Sequence, residues 1–206
     1  MNDATMVSAR GWWDLADRAT FYPDDLPEDW QLSYFANCFH ATLLPASFWR
    51  PSEASQFAQW RDEVPAGFRF VAEQPCARST PAEPPLQAAI LERWLAPKLA
   101  AWLEPVASAP RIPADAGEPA VEAWFRYLGP APDAGSNAGE PNAVREHYAV
   151  QAPSALHQDL RGARHWLSAL IEHQGQAPSL IILAQPSSNS LGAWQELLEL
   201  LGLSQR

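Results

Sequence analysis

Phe39-His40-Ala41-Thr42-Leu43-Leu44-Pro45-Ala46-Ser47-Phe48-Trp49-Arg50-Pro51 is the stretch that decides the fold. It reads as a short buried strand that runs into an aromatic and basic loop, with a helix starting straight after it. Phe21-Tyr22-Pro23-Asp24-Asp25-Leu26-Pro27 stands before it, and Gly67-Phe68-Arg69-Phe70-Val71-Ala72-Glu73-Gln74-Pro75 follows as a second strand ending in a turn. Between these pieces Asp29 can cap a helix through Trp30, Tyr34 and Phe35, and Ser52 a helix through Phe57 and Trp60. A first strand, Thr5 to Arg10, is closed by Gly11 and followed by Trp12-Trp13. The first half therefore alternates strand and helix, which implies parallel strands joined by helical crossovers.

Further along, the apolar spacing predicts a long helix over Leu86 to Glu104, kinked at Pro97, with Leu91, Trp94, Leu95 and Trp102 in a wide stripe. Residues 76 to 85 and 105 to 119 read as Pro-rich or irregular connections, and 130 to 143 as a loop. Val121 to Gly129 reads as a fourth strand, while Val144 to Val150 is ambiguous between helix and strand. Ser154 is expected to cap a helix reaching Gln174; Leu180 to Gln185 is a last strand, and Ser190 to Leu201 a closing helix. The fold class that follows is α/β: a truncated or distorted TIM-barrel-like fold with about five mostly parallel strands and flanking helices.

The 206 residues are 47% hydrophobic and 18% charged, a globular balance with enough apolar surface for a substantial core. A formal net charge of −10 repels phosphates at long range, arguing against nucleic acid and anionic membrane as partners. No run approaches the roughly 18 apolar residues of a membrane span. Met1 to Thr5 lacks the features of a signal peptide, so the expected compartment is cytoplasmic. Cys38 and Cys76 form neither a disulfide framework nor a metal pattern and are read as small buried hydrophobes. No cofactor or metal site is expected. His157, His165 and His173 recur every eight residues and so splay around a helix instead of sharing a face. They read as solvated, and His40 as a core residue. Gly135-Ser136-Asn137-Ala138-Gly139 is neither a phosphate loop nor a nucleophile elbow.

Phe21-Tyr22-Pro23 with Leu26-Pro27, then Phe48-Trp49-Arg50, then Gly67-Phe68-Arg69-Phe70 resemble the motifs of the YecE-like family (domain of unknown function 72), a TIM-barrel-type group. Gly11-Trp12 resembles the end of the family's opening strand, Trp124 to Gly129 its Arg-containing strand, and Leu180 to Gln185 its last strand. The similarity covers residues 7–75 well and 121–203 loosely, and it implies a single domain over 1–206. In that domain, 76–120 supplies a helix and a Pro-rich loop in place of missing strand–helix units. The chain departs from the pattern at polar positions: Leu43, Pro45, Glu73 and Leu128 stand where the family carries acidic, Asn, Lys and His residues, and Gln185 and Pro186 where it carries a pair of Asn. A full eight-unit barrel takes about 250 residues, so the resemblance implies a shortened, degenerate member.

Sites in such barrels sit at the C-terminal ends of the strands. That places Trp12, Trp13, Trp49, Arg50, Gln74, Arg126 and Gln185 around one mouth. Arg126, Arg50, Trp49, Trp12 and Gln185 are the candidate ligand-binding residues, for a small anionic or sugar-like ligand. The competing reading pairs Arg50 and Arg126 with Glu73 or Glu122 and uses the Trp residues as filling. For Arg126 the expected partners are Glu73 and Gln185. No catalytic residue can be assigned. The leading function is therefore a non-enzymatic barrel serving as a binding or structural domain; the alternative is an enzyme for a small anionic or carbohydrate substrate. Uncovered strand edges or helix faces make a homodimer the candidate assembly, with the Leu91–Trp102 stripe as its surface.

Overall fold

The computed structural model describes residues 4–74, 85–106, 121–128 and 147–204. Its strands are β1 (Met6–Ala9), β2 (Ala41–Leu44), β3 (Arg69–Glu73), β4 (Leu99–Pro105), β5 (Ala123–Leu128), β6 (Tyr148–Gln151) and β7 (Leu180–Leu183). Its helices are α1 (Arg18–Phe21), α2 (Gln31–Cys38), α3 (Ala46–Trp49), α4 (Ala54–Glu63), α5 (Pro85–Leu95), α6 (Leu160–Gln174) and α7 (Ser188–Leu200). Short 3₁₀ turns at Glu28–Trp30 and Ser154–Leu156 lead into α2 and precede α6.

All seven strands join one sheet in the order β1-β7-β6-β5-β4-β3-β2, and its two ends, β1 and β2, lie against each other. The result is a nearly closed barrel. Four of the strand pairings are parallel, and β5 is antiparallel to both β4 and β6. Two reversals in succession restore the direction, so every strand except β5 points the same way.

The strand count departs from the expected five. The helix predicted over Leu86 to Glu104 is two elements: α5 stops at Leu95, and after Pro97 the chain enters β4. Proline cannot donate to a continuing helix, which explains the break. The misreading has a physical source, because Leu99, Trp102 and Leu103 are buried on both sides of the sheet. A strand buried on both faces gives an apolar run that short-range periodicity cannot tell from a helix. The ambiguous 144–150 stretch contributes β6, whose residues Ala149 and Val150 are buried on opposite faces.

Several boundaries shift for identifiable reasons. α6 starts at Leu160, because Asp159 caps it through a bond from the Gly162 N–H (2.9 Å), and Gly175 ends it at φ 72°. α7 is capped by Ser187, whose Oγ accepts from the Ser190 N–H. α4 is preceded by Glu53, whose N–H donates to the Gln56 side chain (3.0 Å). Two residues expected in the core are exposed: Cys38 closes α2 on the solvent side and His40 precedes β2, while Phe39 between them takes the buried place. Conversely His157, expected to be solvated, is 8% exposed. Cys76, Gly129, Gly135–Gly139 and most of the connections read as loops fall outside the described residues.

Two apolar clusters divide the core. The larger lies between sheet and helices and joins residues such as Phe35, Phe57, Trp49, Trp166 and Trp194. The smaller is made of strand residues alone: Leu43, Val71, Ala101, Leu103, Phe125, Ala149, Leu180 and Ile182. These alternate with the helix-side residues along each strand and fill the barrel interior.

Candidate functional site

The C-terminal ends of the six like-directed strands form the mouth where barrel chemistry is sited. Alternation decides what points into it. On β1, Met6 packs with the interior cluster and Ser8 lies opposite Ile182 in the ladder, so Arg10 is the next residue on the inward side. On β3, Val71 is interior, so Glu73 is the next inward residue. The two meet: the Arg10 Nη2 forms an ion pair with the Glu73 carboxylate. Their side chains are 30% and 13% exposed, so the pair is withdrawn from bulk water without being sealed.

Neighbouring groups hold this pair in place. Trp49, buried in α3, donates its indole N–H to the Glu73 carbonyl (3.0 Å) and packs edge-on against Trp102 (5.4 Å). Asp14, on the loop after β1, accepts from the Gln185 N–H (3.2 Å). Burial pushes the Asp14 carboxyl above its ordinary 3.8, against the opposing pull of that N–H and of the nearby Arg10 charge. Gln185 carries a left-handed backbone (φ 46°), a conformation that costs a non-glycine residue free energy and clusters at sites. On the same loop the Asp17 carboxylate caps the turn into α7, accepting from the Ser188 N–H and hydroxyl (2.9 and 2.6 Å).

The predicted site residues do not all converge. Trp49 and Gln185 reach this centre through Glu73 and Asp14. Trp12 lies beside it in an aromatic wall, edge-on to Trp13 (4.6 Å), Phe48 (5.4 Å) and Trp60 (5.6 Å). That wall faces a hollow of about 550 Å³ that Arg18, Glu28 and Glu63 also line. Arg50 ends α3, and its carbonyl accepts from the Gln87 side chain (3.1 Å), with α5 docked there. Arg126 is elsewhere. It shares the outward face of β5 with buried Trp124 and pairs with Glu104 on the adjacent strand (3.3 Å), both side chains about half exposed. The expected partners of Arg126 are thus otherwise engaged: Glu73 is held by Arg10, and Gln185, on the loop after β7, donates its N–H to Asp14. Its outward placement follows from strand parity, and the antiparallel course of β5 removes the premise that its end belongs to the mouth.

Arg10, Asp14 and Glu73 are the residues that sequence reasoning missed as a site. The signal available was parity: Met6, Ser8 and Arg10 occupy alternate positions of the first strand, and Val71 and Glu73 of the third. Among the described residues no group of three His, Cys, Asp or Glu side chains is placed to hold a metal, and no helix is long and apolar enough to cross a membrane.

Residues 6–78 match the model of DUF72, a family of proteins of unknown function. Over these residues the chain is similar to the DUF72 family. The matched stretch runs from β1 just past β3 and so contains Arg10, Asp14, Trp49 and Glu73 together; β4 to α7 lie outside it. No curated protein and no solved structure is detectably similar to this chain.

Proposed function

We propose that this chain, similar over residues 6–78 to the DUF72 family, is a non-enzymatic barrel, a binding or structural domain whose strand-end centre is part of the scaffold. The observation that carries the reading is the Arg10–Glu73 ion pair across the mouth. A catalytic arginine or carboxylate must be available to substrate, and here each neutralises the other. Trp49 closes over the Glu73 backbone, and Leu103 and Phe125 fill the interior alongside. A buried pair kept for structure can be replaced by apolar side chains of similar size with little loss. The test is therefore the double variant Arg10→Met with Glu73→Leu. It should remain folded and give the same ligand-induced melting shifts as wild type with phosphate, sulfate and glucuronate. Loss in the variant of a shift that wild type shows would return the mouth to the status of a working site.

Asp14 supports the second reading, an enzyme for a small anionic or carbohydrate substrate, because a half-buried carboxyl raised in pKa beside an arginine is a candidate general acid. Turnover of chromogenic phosphate esters or glycosides by wild type, abolished in Asp14→Asn, would install it instead. The homodimer proposal keeps from its predicted stripe only Trp94, 36% exposed, since Leu91, Leu95 and Trp102 are buried within the chain.

A further inference from the structure

The opposite end of the barrel carries a second cavity. It has a volume of about 550 Å³, within the range of small-molecule pockets, and is bounded by the N-terminal ends of the like-directed strands. Its origin is legible in side-chain size. Inward positions there hold Ala41, Ala100 and Ala101, and the β3–β4 register shifts between Phe70 and Val71, so the interior packing of Leu43, Val71 and Leu103 is not continued to this end. The floor is apolar, made by Met6, Ala41, Ala100 and the Tyr127 ring.

The wall is not apolar. Arg69, at the start of β3, lines the cavity, and its Nη1 is spent on the Ala66 and Phe68 carbonyls (2.8 and 3.0 Å). Those bonds fix the guanidinium. They leave its Nε–Nη2 edge, the fork that grips a carboxylate in two parallel bonds, without a partner among the described residues. His40 and His147 also line the cavity, His147 with its Nδ1 against the Ser179 hydroxyl (3.2 Å). Thr5, only 2% exposed, lines it too, and its hydroxyl has no hydrogen-bond partner. A buried unsatisfied hydroxyl that shares a cavity with a fixed arginine edge lacking a partner among the described residues is costly and is repaired by a ligand with oxygens. Glu199, on the α7 side of the rim, limits the charge such a ligand can carry.

We propose that this cavity at the N-terminal end of the barrel binds a small organic monocarboxylate, its carboxylate on Arg69 and its apolar body against Met6, Ala41, Ala100 and Tyr127. The site is independent of the mouth, and the proposal stands whether or not the mouth is catalytic. One negative charge fits Arg69; a doubly charged phosphate ester is opposed by Glu199.

Calorimetric titration with benzoate and phenyl phosphate as probes tests it. Wild type should bind benzoate more tightly than phenyl phosphate. Arg69→Gln should weaken benzoate by about tenfold or more, the value of a lost bidentate charge-assisted pair. Ala100→Leu, which keeps every charge and fills the floor, should abolish binding without lowering the melting temperature, so the proposal stays testable even if Arg69→Gln folds poorly. Arg10→Met should leave benzoate affinity unchanged, and Glu199→Gln should bring phenyl phosphate closer to benzoate. No binding of benzoate to wild type, unchanged affinity in Ala100→Leu, or a loss that tracks Arg10→Met would each overturn it.

Discussion

Arg10 and Arg126 show what decides the role of a charged side chain. Arg126 sits on β5 and Arg10 directly follows β1, yet parity sends Arg10 into the mouth and Arg126 to the outer face. Surface ion pairs contribute little, so Arg126→Ala should change stability by no more than about 0.5 kcal/mol in urea unfolding. Arg10→Met leaves Glu73 unpaired at 13% exposure; discounted from the cost for fully buried pairs because Arg10 is wetter, the loss should be about 1–2 kcal/mol. His157 behaves differently again. Burial pushes its imidazole below the ordinary 6.5, with Glu122 opposing in part. Below that value the unfolded chain takes up a proton that the fold refuses, so stability should fall as pH drops through about 6.5. In His157→Leu this part of the acid sensitivity should be absent from melting curves recorded between neutral and mildly acidic pH. Residue identities could be read from the sequence; their faces could not be, because a one-residue error in strand register exchanges the two sides.

At the scale of elements, the stretch from β1 to β3 was legible because each strand is short, bounded by turn residues and separated by a helix with its own apolar face. The order Phe39 to Pro51 gave β2 and a helix soon after it, α4, nearly in place, while the short helix α3 stands where a loop was expected. What followed was not legible. β4 is buried on both faces and imitates the helix before it, and nothing local in Val121 to Gly129 shows that β5 runs backwards, since direction is fixed by partners distant in sequence. The candidate site suffered from the same blindness, as Arg126 was assigned to a mouth that β5 does not approach with its C-terminal end. The loop that closes β1 gives an element-scale prediction. Gly11 has φ 111°, and a Cβ there would meet the Trp13 ring at 2.5 Å. Gly11→Ala should therefore cost about 1–3 kcal/mol and disturb the Trp12–Trp13 wall, visible as a change in near-ultraviolet dichroism.

For the whole molecule, closure is the governing fact. Among the described residues seven strands, one of them reversed, come round far enough for β1 and β2 to meet, so the barrel covers its own core. Leu103, fully buried in the interior cluster, should cost about 3 kcal/mol when truncated to Ala. With most of the predicted stripe buried in its own chain, sedimentation over a range of concentrations decides whether any self-association remains; a single monomeric species would remove the homodimer proposal. The proposal that the mouth serves as scaffold is put to the test by a charge-swap cycle on its ion pair. Arg10→Glu and Glu73→Arg should each lower unfolding free energy, and the double swap should recover more than half of the summed loss, because attraction across the mouth is restored. Single variants as stable as wild type, with no coupling between them, would contradict the account and mark Arg10 and Glu73 as groups held ready for a substrate.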